Sequence, residues 1–104
     1  MANGAPALRA RVHLRLYVAG GAPRSRRAIE LVSRVCARYL PDSAQLEVVD
    51  VYRDSALAAE HGVRGVPALV RLAPGPLRRM VGDLGDESTL CSAIIDDVQH
   101  AERP

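Results

Sequence analysis

The side chains with which this 104-residue chain could do covalent or metal chemistry are few: Cys36, Cys91, His13, His61, His100, and Ser25 beside a glycine-rich turn. Cys36 and Cys91 lie far apart, neither belongs to a Cys-x-x-Cys pair, and no histidine stands at ligand spacing from them. A tetrahedral zinc site, which needs four such ligands, is therefore not encoded. Each cysteine sits among apolar residues of helical spacing, so both read as buried thiols, and a structural disulfide is not expected in a cytoplasmic chain. Ser25 would need a neighbouring base to act as a nucleophile, and no motif supplies one. These residues predict no catalysis and no cofactor.

The other chemically distinctive residues are arginines. All 14 basic side chains are Arg, Lys is absent, and 12 acids leave a net charge of +2; a GC-rich genome accounts for the choice of Arg over Lys. The charge is uneven: residues 1–40 carry eight Arg and one acid (+7), residues 41–104 six Arg and eleven acids (−5). That asymmetry predicts an oriented electrostatic surface. It does not predict a nucleic-acid binder, because the net charge is small and only 3% of residues are aromatic. Arg24, Arg26 and Arg27 fall in the first turn of an expected helix, where the positive end of the dipole disfavours cations, and Glu30 offsets part of this. They either await an acidic partner or an anion, or form a solvated basic face. Arg78 and Arg79 fall on an expected edge strand, as a docking surface or as charge that protects the edge.

The elements that must position these residues follow from periodicity. Residues 1–10 carry Gly and Pro without a period and read as a flexible leader, 11–100 as one domain, and 101–104 as a short tail. Val12, Leu14, Leu16 and Val18 alternate with His13, Arg15 and Tyr17, the pattern of a strand covered on one face. Ile29, Val32, Val35 or Cys36, and Tyr39 recur at helical spacing within residues 24–40, and Pro41 ends that helix. Residues 45–51 read as a second strand, parallel to the first by a right-handed crossover. Asp54 is placed to cap a short helix over 55–61, closed by Gly62. Residues 68–72 and 77–81 read as an antiparallel hairpin, and Asp86 caps a last helix over 87–100 with Leu90, Ile94 and Val98 on one stripe. No apolar run approaches the ~18–20 residues that cross a bilayer, so a cytoplasmic protein without membrane contact is expected.

The order β-α-β-α-β-β-α is that of the thioredoxin fold, and Val66-Pro67-Ala68 sets a proline where that fold carries a cis one. The resemblance implies a cis Val66–Pro67 bond; a trans proline that merely starts a strand is the alternative. A redox member would hold its thiols in the loop here formed by Gly20-Gly21-Ala22-Pro23-Arg24-Ser25, which has no sulfur and cannot exchange disulfides.

Leu16-Tyr17-Val18-Ala19-Gly20, followed by Pro23, Ser25, Arg27 and Ala28, resembles the opening of the KaiB family of circadian-clock proteins. Val49-Asp50-Val51, Leu57-Ala58, Val66-Pro67-Ala68-Leu69 and Pro76-Leu77-Arg78-Arg79-Met80-Val81-Gly82-Asp83-Leu84 continue it in order, over roughly residues 11–95. The resemblance implies a non-enzymatic regulator that docks on a KaiC-like ATPase ring according to its nucleotide and phosphorylation state. It also implies an alternative fold of the C-terminal half that assembles as a homo-oligomer. Arg24, Arg27, Arg78 and Arg79 are the candidate partner-binding residues, and Gly20, Pro67, Gly82 and Asp83 the conformational landmarks. Gly21-Ala22 stands where the clock proteins usually carry polar residues, a departure in the detail of partner contact, and the lack of Lys and the Arg excess point to a homologue outside the cyanobacteria. The acidic first turn and apolar stripe of residues 87–98 favour a helix, and with it the thioredoxin-like state. Two other readings share the fold: a sensor module acting with a histidine kinase, and a small thioredoxin-fold enzyme.

Overall fold

The computed structural model describes residues 12–60, 65–81 and 84–101. The leader, the tail beyond residue 101, His61, Gly62, Gly82 and Asp83 lie outside the described residues. The elements are β1 (Val12–Val18), α1 (Pro23–Tyr39), β2 (Ala44–Asp50), α2 (Ser55–Glu60), β3 (Ala68–Ala73), β4 (Arg78–Val81) and α3 (Glu87–Ala101), the order expected from the sequence. The sheet runs β2-β1-β3-β4, with β1 parallel to β2 and antiparallel to β3, and β4 antiparallel to β3. Because β1 and β2 are joined through a helix, the parallel pairing follows, and it leaves β4 on an outer edge.

Alternation along β1 sends Val12, Leu14, Leu16 and Val18 to one face, where they pack with Ala28, Val32 and Val35 of α1, Leu69 of β3, and Leu90, Cys91 and Ile94 of α3. This layer is the main core. The face of α1 that enters it is Ser25, Ala28, Val32 and Val35, so the arginines at 24, 26, 27, 34 and 38 are left in solvent. Tyr39 does not join that face. As the last helical residue it is exposed, and Leu40 packs against the core in its place as the chain turns back into β2.

The expectation that β1 is covered on one face fails at Tyr17. Its ring is fully buried on the opposite face with Val49, Ala68 and Val70, beneath Leu57 of α2, and its hydroxyl donates to Leu57 O at 3.0 Å. A buried aromatic is tolerated there because its polar end finds that acceptor. Arg15 follows the same face, donates Nε to Glu47 across the β1–β2 pair at 2.8 Å, and lies against the Tyr17 hydroxyl at 3.4 Å. These bonds, to Tyr17 first and Glu47 second, raise the guanidinium's pKa above its ordinary value.

Asp86 caps α3 as expected, its Oδ1 accepting the Thr89 N–H at 2.8 Å. The same helix is tied to α1 by Glu87, which accepts from Arg34 at 2.9 Å and Arg38 at 3.2 Å.

Candidate functional site

The turn between β1 and α1 is built to hold one shape. Gly20 has φ +53°, a left-handed conformation that other residues adopt with strain, and a side chain there would meet the ring of Tyr52 at 3.6 Å. The Gly20 N–H donates to Asp50 Oδ1 at 3.1 Å, and the same oxygen accepts the Tyr52 N–H at 3.0 Å, so one carboxylate pins this turn to the end of β2. Ser25 is buried and its Oγ accepts the Ala19 N–H at 3.0 Å. A side chain enclosed in that role is a brace for the turn and is not presented to a substrate.

Pro23 opens α1 without a side-chain cap and without an acid in the first turn. The helix therefore starts with its positive end bare and with Arg24, Arg26 and Arg27 exposed, three cations that the helix dipole disfavours. Among the described residues none of the three forms an ion pair. Glu30, expected to offset them, is exposed and does not pair with them either.

Arg24 and Arg27 line a cleft of about 490 Å3 together with Ala28, Glu30, Leu31, Arg34, Pro67, Leu84 and Gly85. The Val66–Pro67 peptide is cis, as the fold resemblance implies, and Pro67 is buried at the cleft wall. Two further X–Pro bonds, Ala73–Pro74 and Gly75–Pro76, are also cis and form the β3–β4 turn. The structure thus brings Arg24, Arg27 and Pro67 together at one opening beside the turn that carries Gly20.

Arg78 and Arg79 lie apart from that cleft. Strand alternation places them on opposite faces of the sheet: Arg78 opposite Arg71 on the α1/α3 side, Arg79 opposite Val70 on the α2 side. The pair cannot present both guanidinium groups to one flat surface, although either can be met along the β4 edge.

One residue with a prominent place in the structure is not singled out by the sequence pattern. Arg71, in the apolar run Ala68–Ala73, is fully buried and donates Nη1 to Ile94 O at 2.9 Å and Nη2 to Pro76 O at 3.0 Å. It joins β3 to both the last helix and the hairpin turn. The signal available is a lone charge inside a strand whose other residues are all apolar, since such a charge is rarely buried without partners.

Cys36 is partly buried in α1 and Cys91 is buried in α3, and neither lies in the loop where redox members of this fold hold thiols. Burial pushes the pKa of both thiols up, away from the reactive thiolate. The described residues include no group of His, Cys, Asp and Glu suited to a metal ion, and no helix long and apolar enough to cross a membrane.

Residues 15–93 match the family profile of the KaiB domain. The circadian clock protein KaiB3 of a Synechocystis species is 36% identical over 76 residues, covering 73% of this chain and 74% of that protein. Among solved structures, a mutant thioredoxin from Halobacterium salinarum superposes with a TM-score of 0.70 at 31% identity, covering 83% of this chain and 74% of that one. The N-terminal domain of SasA from Synechococcus elongatus gives a TM-score of 0.73 at 23% identity and covers 100% of this chain and 96% of that domain.

Proposed function

The chain belongs to the KaiB family, and from that premise we propose that it is a regulatory binding protein which docks on a KaiC-like ATPase ring in a nucleotide-state-dependent manner. Arg24 and Arg27 at the start of α1, and Arg78 and Arg79 on the β4 edge, are the contacts it offers. The observation that carries this reading is the bare, cationic start of α1. Its exposed arginines oppose the helix dipole and have no ion-pair partner among the described residues, a local cost that an acidic partner would relieve.

A thiol enzyme is the weaker reading, because the α1 turn has no sulfur and both cysteines are held as protonated thiols. A sensor module acting with a histidine kinase is favoured by the end-to-end superposition on the SasA domain, but that likeness concerns the fold, whereas sequence identity lies with the KaiB proteins.

The test is binding of the purified protein to a KaiC-type ATPase of the same organism, loaded with ATP or ADP. Arg27→Ala and the double change Arg78→Ala/Arg79→Ala are compared with wild type. Binding in one nucleotide state that weakens in the variants supports the proposal. Absence of binding in both states, with binding to a histidine kinase instead, would replace it by the sensor reading.

A further inference from the structure

The cleft beside Pro67 has a sequence of chemical surfaces along it. Arg24, Arg27, Ala28, Leu31 and Arg34 fall on one stripe of α1, with guanidinium groups at its two ends and apolar side chains between them. Pro67 and Leu84 supply the facing apolar wall. Ten helical positions at ~1.5 Å each separate Arg24 from Arg34, about 15 Å, which an extended chain rising ~3.3 Å per residue spans in about 4–5 residues.

We infer that this cleft binds a short extended peptide segment of a partner, with acidic side chains at its two ends and an apolar side chain between them. The inference rests on the docking reading for the source of the segment, and adds the chemistry of what is docked. The acidic ends face Arg24 and Arg27 on one side and Arg34 on the other, since planar guanidinium groups hold carboxylates through paired hydrogen bonds. Arg24 and Arg27 make no ion pair among the described residues, and Arg34 engages Glu87 through Nε at 2.9 Å. The middle side chain rests on Ala28, Leu31, Pro67 and Leu84. Glu30, on the flank between Arg27 and Arg34, repels an acid at the centre of the segment and so helps to set its register. A single phosphate is the poorer occupant, because it would meet one end of the stripe and leave the apolar middle uncovered.

The probe is a synthetic blocked pentapeptide, Asp-Glu-Leu-Asp-Glu, titrated into the full 15N-labelled chain and followed by amide chemical shifts. Its neutral counterpart Asn-Gln-Leu-Asn-Gln is the control. Saturable shifts confined to residues 24–34 of α1 and to residues 68, 84 and 85 are expected, with binding weakened about tenfold in Arg24→Glu/Arg27→Glu. Arg26→Glu reverses a charge of the same helical turn outside the cleft, and should change binding less than about twofold. Equal weakening by Arg26→Glu, equal binding of the neutral peptide, displacement by inorganic phosphate, or shifts elsewhere would each overturn the inference.

The same variants are carried into the ATPase-binding assay. Loss of peptide binding with intact ATPase binding removes this inference and leaves the docking reading. Peptide binding in the cleft without ATPase binding does the reverse.

Discussion

Replacing Arg71 asks whether a cation enclosed between sheet and helix is a net support of the fold. The hydrogen bonds it donates at 2.9 Å to Ile94 O and 3.0 Å to Pro76 O come from a charged donor. Bonds of that kind are worth ~1.5–3 kcal/mol each, about 3–6 kcal/mol together. Opposing this is the desolvation of the guanidinium, several kcal/mol, which is recovered when the charge is removed. Arg71→Ala loses both bonds and leaves a cavity in a fully buried position, and we expect a net loss of about 3–4 kcal/mol. Arg71→Lys keeps the charge but concentrates it on one ammonium that cannot span both carbonyls, with an expected loss of about 2–3 kcal/mol. Arg71→Met refills most of the volume with a neutral chain and should lose about 1–2 kcal/mol.

The assay is urea unfolding of the full chain followed by far-UV circular dichroism, with the slope compared across variants so that a change of midpoint can be read as a change of stability. For a domain of this size, with a total stability of ~5–15 kcal/mol, the alanine variant should lose a large part of its transition midpoint. An alanine variant within about 0.5 kcal/mol of wild type, or a methionine variant more stable than wild type, would refute the reasoning by showing that desolvation outweighs the two bonds.

Three further outcomes are expected. The hydrogen bond from the Thr89 N–H holds the Asp86 carboxyl below the usual aspartate range; with its folded pKa below the unfolded one, its contribution is present above the ordinary aspartate pKa and fades as pH falls through the depressed value. Urea midpoints measured between about pH 6 and 2 should show this component in wild type and lose it in Asp86→Asn, which keeps the cap. Both thiols should resist dithionitrobenzoate at about pH 8 in the native protein and react rapidly in urea, because burial holds their pKa up. Gly20→Ala should cost about 1 kcal/mol in the same unfolding assay; a side chain has room beside Tyr52 at 3.6 Å, so the cost is that of placing alanine at φ +53°.

Where one pattern dominates, the structure is legible in the residues. β1 has the expected limits because its four alternating apolar residues all meet the α1/α3 layer, and α3 starts where Asp86 places it because a capping aspartate acts through the three residues next to it. Tyr17 reads as a residue of the open face because alternation says which residues share a face and does not say that a six-residue helix will cover it. Arg24, Arg27 and Pro67 are each identifiable in the sequence, but their meeting at one cleft depends on Leu84 and Gly85 arriving from beyond the hairpin. The separation of Arg78 from Arg79 follows from strand geometry alone, and adjacency in sequence conceals it. Arg71 is hidden for the opposite reason, because a strand rich in apolar residues reads the same whether or not a charge inside it finds partners.

The burial of Tyr17 gives the molecule a reporter of its own. The chain has no Trp and no Phe, and of its three tyrosines Tyr39 is 44% and Tyr52 80% exposed, whereas Tyr17 is enclosed between the sheet and α2 with its hydroxyl fixed to Leu57. An immobilised ring in an asymmetric surrounding produces near-ultraviolet dichroism, which a ring turning in solvent does not. The near-ultraviolet signal of this protein should therefore come mainly from Tyr17, and its loss without loss of the far-ultraviolet signal is the expected sign of α2 lifting away from the sheet.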